Sequence, residues 1–217
     1  MPQTLKVNKP FFLLYIVFVL LGGLWQILWS PTEIFLLING SYSTFSDNFF
    51  QYFTNIGDGA FFVAVIFLFL FIQYRYALIG VGSFALSSLL AQGLKRYVFE
   101  DALRPKAVFE GSSYTLHWVD GLVVHSHNSF PSGHATTAFA VFSLLSLASN
   151  NKNWGFLYFT LALLAAYSRV YLGQHFFADI YFGSVLGIIS TLLAYLLMNA
   201  WLDKNPGNWY QQSLLRP

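Results

Sequence analysis

The chain has 217 residues, enough for one domain, of which 56% are hydrophobic and only 9% are charged. Since soluble domains carry about 25% charged residues, this composition excludes an ordinary soluble protein and indicates a multi-span membrane protein. The net charge of +2 without a basic run gives no sign of nucleic-acid binding, and the lack of cysteine excludes disulfides, thiolate catalysis and Cys-ligated metals.

The first predicted element is an apolar run at residues 11–29, which follows Lys6 and Lys9. Its length is close to the roughly 20 residues that a helix needs to cross a bilayer. A signal peptide has a shorter apolar region and a small-residue cleavage site, and neither feature is present. We therefore expect a retained membrane span.

A short helix and an amphipathic helix are predicted next. Ser30 is followed by Pro31 and, three positions on, by Glu33, which is the pattern of a helix capping box. Over residues 45–56, aromatic side chains recur at helical spacing beside polar ones. This favours a helix lying in the membrane interface, and a buried helix of the bundle is the alternative interpretation.

Five further apolar runs predict an all-α bundle of six membrane-spanning helices, forming a single integral-membrane domain over residues 1–217. The run at 77–94 is rich in Gly, Ser and Ala, which let helix backbones approach closely in lipid, so we expect an inner helix there. Arg75 marks a tight turn before this run. The predicted spans lie at about residues 11–29, 59–74, 77–94, 131–148, 154–167 and 180–201.

The longest polar segment covers residues 95–130. Within it, residues 114–119 and 122–126 flank Asp120-Gly121, a short-range signal for a hairpin turn, so we predict a small β-hairpin beside the functional site. Three histidines lie in this segment, and no carboxylate or cysteine completes a metal-ligand set at convincing spacing. They are His117, His125 and His127, and we interpret them as surface or substrate-contacting residues.

Ionisable residues are concentrated between the last two apolar runs, where lipid makes an unpaired charge costly and a functional role is the default hypothesis. His175 and Asp179 are four residues apart, so on one helix face the carboxylate can hold the imidazole in one tautomer. Arg169 lies upstream, before Gly173 ends the helix, and its planar guanidinium suits phosphate. On this stretch alone, a purely structural ion pair is an equally good interpretation.

A second polar cluster opens the fourth predicted span, at Phe130-Pro131-Ser132-Gly133-His134. Free backbone N–H groups at a helix start, next to a glycine, form a ready anion site. Two histidines, basic residues and a helix N-terminus are what phosphate-ester chemistry needs. One histidine attacks, the other protonates the leaving oxygen, and fixed positive groups stabilise the developing charge.

The chain resembles the type-2 phosphatidic acid phosphatase superfamily, which also includes the vanadium haloperoxidases. Two of the three family motifs are matched in full. They are Pro131-Ser132-Gly133-His134, and Ser168-Arg169 with His175 and Asp179.

The first family motif, a lysine followed by Arg-Pro, is present with altered spacing. Eight residues separate Lys95 from Arg104-Pro105, two more than in the usual family pattern. Arg96 could fill the role of the lysine instead. We expect Lys95 to do so, and the two extra residues to form a bulge within residues 97–103.

The resemblance implies a phosphohistidine mechanism that needs neither metal nor cofactor. It implies that His175 attacks phosphorus, that Asp179 orients it, and that His134 protonates the leaving group and later activates water. The residues alone give the same kinds of role but leave open which histidine attacks; His175 is preferred because it has the carboxylate partner. The implied phosphate-binding groups are Lys95, Arg104, Arg169, Ser132 and the Gly133 backbone N–H.

We expect a protein of the bacterial inner membrane, and the distribution of Lys and Arg predicts that the site lies on its extracytoplasmic face. With the N-terminus inside, the cytoplasmic segments hold Lys6, Lys9, Arg75, Lys152, Lys204 and Arg216. The outer segments hold Lys95, Arg96, Arg104, Lys106 and Arg169, which all belong to the site region. Outside that region the outer segments carry no basic residue.

The sequence thus predicts a membrane lipid phosphate phosphatase that acts on a mono- or diphosphate ester. Undecaprenyl diphosphate, phosphatidylglycerol phosphate and lipid A phosphates are the candidate substrates. A lipid phosphotransferase using the same residues and a non-catalytic lipid-binding membrane protein are the alternatives. The expected partners are the lipid phosphate and the bilayer, with no nucleic acid, and the oligomeric state is left open.

Overall fold

The computed structural model describes residues 8–205 and 207–216, and Lys6 lies outside them. The secondary structure of this part is helical, and no β-strand occurs in it. The helices are α1 (Lys9–Leu28), α2 (Pro31–Gly40), α3 (Thr44–Phe53), α4 (Gly59–Ile72), α5 (Tyr74–Gly93), α6 (Pro105–Val108), α7 (Gly133–Ala148), α8 (Trp154–Tyr171) and α9 (Phe177–Lys204). Shorter 3₁₀ turns lie at Thr54–Gly57 and Asn208–Gln211, and a π-helical turn lies at Leu94–Val98.

Helix α7 is the centre of the bundle, and 11 of its 16 residues are buried. It packs against α9, α8 and α5, and α4 also contacts it. A helix that is apolar on all sides is typical of a protein core or of a membrane span. Hydroxyl groups link the central helices, since Thr191 on α9 donates to the Ala140 carbonyl at 3.1 Å and contacts the Ser83 hydroxyl at 2.7 Å. The predicted inner helix at 77–94 is therefore present as α5, although α7 is more deeply buried.

Glycines on α9 allow it to approach α7 at very short range. A Cβ atom on Gly187 would lie 2.3 Å from the Thr136 carbonyl oxygen and 2.9 Å from the Ala140 nitrogen. A Cβ atom on Gly183 would lie 2.7 Å from the Ser132 carbonyl oxygen. Small residues at a helix crossing permit this backbone contact. The contact matters for function because it joins the starts of α7 and α9.

Gly187→Ala is expected to destabilise the protein, because the added methyl group meets backbone atoms that cannot move independently. Overpacking of this kind costs about 1–3 kcal/mol. The measurement is thermal unfolding of the purified protein in detergent. Gly93→Ala is the matched control, since nothing lies within 4 Å of its Cβ position. Equal melting temperatures for the two variants would contradict the close crossing of α7 and α9.

Six membrane spans were predicted, but fewer helices of the described residues are long and apolar enough to cross a membrane. Three helical segments of the described chain are long and apolar enough to cross a membrane: α1, α5 with its π-helical turn, and α9. A fourth crossing is possible if the bent pair of α3 and α4 counts as one span. Helix α7 is apolar but has only 16 residues. These apolar helices are typical of an integral membrane protein.

Two helices lie between α1 and α4. The first is the predicted short helix, and the second is not the buried helix that was the alternative interpretation of residues 45–56. Ser30 caps α2 in a complete capping box with Glu33. Helix α3 contains no buried residue, so the alternative of a buried helix at 45–56 is wrong. The Thr44–Gly57 segment meets α4 at an angle of 54°. The placement of α3 in the membrane interface stays a prediction.

The predicted β-hairpin at 114–126 is wrong, although its turn is present. The Leu122 N–H donates to the Val119 carbonyl at 3.4 Å, and Gly121 has a φ of +78°. The backbone N–H and carbonyl groups on either side of the turn do not pair with each other as strands, and some bond to side chains elsewhere. Asn39 on α2 accepts from the His117 N–H at 2.9 Å and donates to its carbonyl at 2.9 Å. Side chains of the helical body thus replace the strand ladder.

The end of the bundle opposite the motifs is held by Arg75 and the C-terminal segment. The predicted tight turn is present at Gln73, where α4 ends and α5 begins. Arg75 is buried, and its Nε donates to Asn199 Oδ1 at 2.7 Å. The Tyr74 N–H donates to the Gln212 carbonyl at 2.9 Å, so the C-terminal segment folds back against this turn.

Candidate active site

Backbone contacts join the two fully matched motifs. The Ser132 N–H, at the start of α7, donates to the Asp179 carbonyl in the first turn of α9 at 3.0 Å. Helix α8 ends at Tyr171, and Gly173 adopts a φ of +69°, which favours glycine. The chain then folds back, so that the His175 N–H donates to the Arg169 carbonyl at 3.1 Å. The predicted helix end at Gly173 is therefore confirmed.

His175 and Asp179 form a buried pair. His175 Nδ1 lies 3.2 Å from Asp179 Oδ2, and the two residues are 2% and 5% exposed. The same oxygen accepts from the Phe176 N–H at 2.9 Å and from the Ser129 hydroxyl at 2.5 Å. His175 lies in the loop before α9, rather than on its face, and Asp179 lies in the first helical turn. A proton on Nδ1, facing the carboxylate, leaves Nε2 with its lone pair available.

The surroundings of His175 favour its neutral form. Burial, followed by the positive charges of Arg104, Arg169 and Lys95, lowers the pKa of His175 well below its usual value of 6.5. A neutral imidazole has a free electron pair at physiological pH. The arrangement is thus suited to a nucleophile that attacks an anionic phosphate held by the same cations.

Arg169 has an unused donor. Its Nη1 donates to Thr54 Oγ1 at 2.9 Å, which fixes the guanidinium. Its Nε is buried and has no hydrogen-bond partner among the described residues. A buried unsatisfied N–H is costly, and the cost is removed when an acceptor binds. A phosphoryl oxygen is the acceptor that a guanidinium geometry suits best.

Arg104 is largely engaged by the protein. Its Nε donates to the His127 carbonyl at 2.9 Å, and Nη1 donates to the Gln174 carbonyl and side-chain oxygen, both at 3.1 Å. Nη2 donates weakly to the Asn128 carbonyl at 3.4 Å. Burial lowers the pKa of Arg104 below its usual value, and the Asp179 carboxylate opposes this effect. The guanidinium therefore holds two loops together and supplies positive charge, and direct phosphate binding by it stays a prediction.

Burial distinguishes Lys95 from Arg96, and the phosphate-binding role of Lys95 stays a prediction. Lys95 is half-buried, and its charge acts on Arg104, Asp179 and Arg169, whereas Arg96 is exposed. The extra residues of the first motif are accommodated by the π-helical turn at Leu94–Val98, which has a wider turn than an α-helix. The bulge predicted within 97–103 thus begins three residues earlier. Its second part is the turn in which the Ala102 N–H donates to the Phe99 carbonyl at 3.2 Å.

His134 stands at the start of α7, beside an open cleft. Ser132 is the N-cap of this helix, and its hydroxyl accepts from the Ala135 N–H at 3.4 Å. Nothing lies within 4 Å of the Cβ position of Gly133, so a ligand can approach the backbone there. The cleft has a volume of about 260 Å³. It is lined by His134, Asp58, Phe84 and small or polar residues of the 3₁₀ turn, α4, α5 and α7.

The loop histidines have structural or surface positions. His117 Nε2 lies 2.9 Å from Asp47 Oδ1, and its ring stacks on Tyr42 with centroids 3.8 Å apart. His125 and His127 are exposed. In the part of the chain that the structure describes, no group of three or more histidine or acidic residues is arranged to hold a metal ion.

Several residues of the site were not identified from the sequence. They are Thr54, Asp58, Ser129 and Gln174. Ser129 adjoins the second motif and Gln174 adjoins His175, so proximity to a motif could have indicated both. Thr54 and Asp58 lie more than 70 residues before His134, and no local pattern connects them to it.

Comparisons with known proteins agree with these motifs. A family model described as the PAP2 superfamily matches residues 76–203, which is more than half of the chain. The chain is 36% identical over 83 residues to "Undecaprenyl-diphosphatase BcrC" of Bacillus subtilis, covering 37% of this chain and 42% of that protein. It is 35% identical over 82 residues to "Bacitracin transport permease protein BcrC" of Bacillus licheniformis, covering 37% and 39%. The matched part thus spans less than half the length of these relatives.

A solved structure extends the similarity to the fold. The crystal structure of Aquifex aeolicus LpxE matches 75% of this chain and 93% of that chain, with 25% identity and a TM-score of 0.66. The similarity therefore includes helices outside the three motifs.

Proposed function

Because the chain belongs to the PAP2 superfamily, we propose that it is a membrane phosphatase that hydrolyses lipid phosphates through a phosphohistidine. The observation that carries the proposal is the buried His175–Asp179 pair beside the unpartnered Nε of Arg169. A nucleophile held by a carboxylate, next to an anion site with an unused donor, is suited to phosphoryl transfer. A purely structural ion pair gives no reason for the unused donor.

In the proposed mechanism, His175 Nε2 attacks phosphorus, while Asp179 stabilises the positive charge that develops on the ring. The bond between phosphorus and the leaving oxygen breaks, and His134 gives its proton to that oxygen. Water then attacks the phosphohistidine as His134 takes up a proton, which releases inorganic phosphate and restores His175. The phosphoryl oxygens are held by Lys95, Arg104, Arg169, Ser132 and the Gly133 N–H.

Fixed cations provide the charge stabilisation that a metal supplies in other phosphatases. Phosphate release should therefore persist in EDTA and be inhibited by vanadate, which mimics five-coordinate phosphorus. The measurement is released inorganic phosphate from detergent-purified protein with each additive. Full loss of activity in chelator, with recovery on adding a divalent cation, would contradict the metal-independent mechanism.

Undecaprenyl diphosphate is the first candidate substrate, because a Bacillus subtilis relative is named an undecaprenyl-diphosphatase. Phosphatidylglycerol phosphate and lipid A phosphates are the other candidates, since each presents a phosphate at a membrane surface. The test is phosphate release by the purified protein from a panel of these lipids. Transfer of the phosphoryl group to an acceptor other than water would identify a phosphotransferase, and binding without turnover a lipid-binding protein.

We further propose six membrane crossings, by α1, α4, α5, α7, α8 and α9, with the site on the extracytoplasmic face of a bacterial inner membrane. The segment at 149–153, which contains Lys152, would then be cytoplasmic. The support is that the basic residues assigned to the outer side all lie in the site region, where phosphate binding accounts for Lys95, Arg104 and Arg169.

The absence of native cysteine allows a direct test of this topology. Ser113 and Asn150 are both exposed and lie in the loops assigned to opposite faces. Ser113→Cys is expected to react with a membrane-impermeant maleimide in intact cells, and Asn150→Cys only after the cells are permeabilised. The reverse pattern would place the site in the cytoplasm.

A further inference from the structure

Asp58 is placed beside His134 by a close contact between the 3₁₀ turn and α7. A Cβ atom on Gly57 would lie 3.0 Å from the His134 carbonyl oxygen, so this turn packs directly on the start of α7. Asp58 Oδ1 accepts from the Ala60 N–H at 2.8 Å and caps α4. The other oxygen, Oδ2, lies 3.7 Å from His134 Nε2. The cap thus fixes the carboxylate in an orientation that faces the imidazole.

The charges around His134 oppose the role that the proposed mechanism gives it. A general acid must hold a proton before the leaving group departs, yet three cations act on this ring: Arg169 from α8, Arg104 from the loop, and Lys95 from the π-helical turn. Each of them repels an imidazolium. Asp179 is already engaged by His175, Ser129 and the Phe176 N–H. Asp58 is the acidic group acting on His134 within the described residues.

We propose that Asp58 is a positioning residue whose carboxylate holds His134 in the protonated, correctly oriented form that donates to the leaving oxygen. This inference rests on the proposed phosphatase function. In the step concerned, the electron pair of the breaking phosphorus–oxygen bond goes to the leaving oxygen, and a proton from the His134 imidazolium follows it. Asp58 itself exchanges no proton and touches no reacting atom.

If the proposal is correct, the loss of activity in an Asp58 variant depends on how easily the leaving group departs. A poor leaving group, such as an alkoxide, needs the proton from His134, whereas p-nitrophenolate leaves without it. An Asp58 that only caps α4 would affect both substrates equally. Asp58→Asn separates the two roles, because asparagine is an equally good N-cap but lacks the charge.

The experiment compares kcat/KM of wild type and Asp58→Asn for dodecyl phosphate and p-nitrophenyl phosphate, because kcat/KM includes the step in which the leaving group departs. Since general acid catalysis contributes about 10²–10⁴-fold in total, we expect Asp58→Asn to lower kcat/KM about tenfold for dodecyl phosphate and less than about twofold for p-nitrophenyl phosphate. Asp58→Glu should recover part of the loss. Asp101→Asn, an exposed loop residue of the same charge, is the matched control and should leave both values unchanged.

The outcomes distinguish the inference from the proposed function. No phosphate release by the wild type from either substrate would overturn both. An active wild type, with an equal loss of both activities in Asp58→Asn, would overturn the inference alone, as would no change in either. Retained hydrolysis of p-nitrophenyl phosphate shows that the variant is folded. In a His134→Ala background, Asp58→Asn should cause no further loss for dodecyl phosphate, and an undiminished effect there would also overturn the inference.

Discussion

His175→Ala is expected to lower kcat for lipid phosphate hydrolysis by at least about 10⁴-fold, because removing the nucleophile of a catalytic unit abolishes nearly all of its effect. The imidazole is buried and held by Asp179, and its surroundings lower its pKa. Among the described residues of the anion site, no other imidazole has a carboxylate within 3.2 Å. His134 lies 3.7 Å from Asp58 instead, and we assign it the role of general acid. The measurement is steady-state phosphate release in detergent.

Asp179→Asn is the informative companion to this variant. It keeps the imidazole but removes the acceptor that sets its tautomer, so it should reduce kcat less than His175→Ala does. Both positions are buried, so thermal unfolding of each variant must accompany the kinetics. Activity of His175→Ala within about tenfold of the wild type would contradict the assignment of the nucleophile.

Lys95→Ala should lower kcat/KM about tenfold to a hundredfold, which corresponds to a charge-assisted hydrogen bond of about 1.5–3 kcal/mol. The Lys95 side chain is half-buried and its charge acts on Arg104, Asp179 and Arg169. Arg96→Ala is the matched control: the neighbouring residue carries the same charge but is exposed, and its loss should cost well under tenfold. The measurement is kcat/KM with one lipid phosphate for all three proteins.

The opposite ranking of these two variants has a definite meaning. If Arg96→Ala caused the larger loss, Arg96 would bind the phosphate, and the first motif would be shifted by one residue. Equal small losses would instead show that Arg104 and Arg169 supply the required charge without help from the π-helical turn.

Local signals in the sequence predicted much of the fold. Gly173 predicted the end of α8, and the capping box at Ser30 and Glu33 predicted α2, because each pattern depends on a few adjacent residues. The hairpin failed because its prediction used only local turn chemistry. Asn39, some 78 residues away, takes the backbone hydrogen bonds of His117 that a neighbouring strand would have used.

In the candidate site, too, residues within local motifs could be predicted, whereas residues from distant parts of the chain could not. The motifs identified His134, His175 and Asp179 before their positions were known, because their chemistry is specific. Thr54 and Asp58 lie at the 54° bend between α3 and α4, where they contact Arg169 and His134. A sequence pattern contains no record of such a bend. The number of membrane spans is likewise difficult to predict from local hydropathy, because α7 is short and is buried by neighbouring helices.

The central claim is that His175 carries the phosphoryl group during turnover. Its most direct test is rapid acid-free quenching of the purified protein with undecaprenyl diphosphate that is radiolabelled in the terminal phosphate, followed by peptide mapping. The account predicts a label that is stable in alkali and labile in acid, located on His175 and absent from His175→Ala. Continued hydrolysis by the wild type with no labelled protein, or with the label on His134, would contradict it.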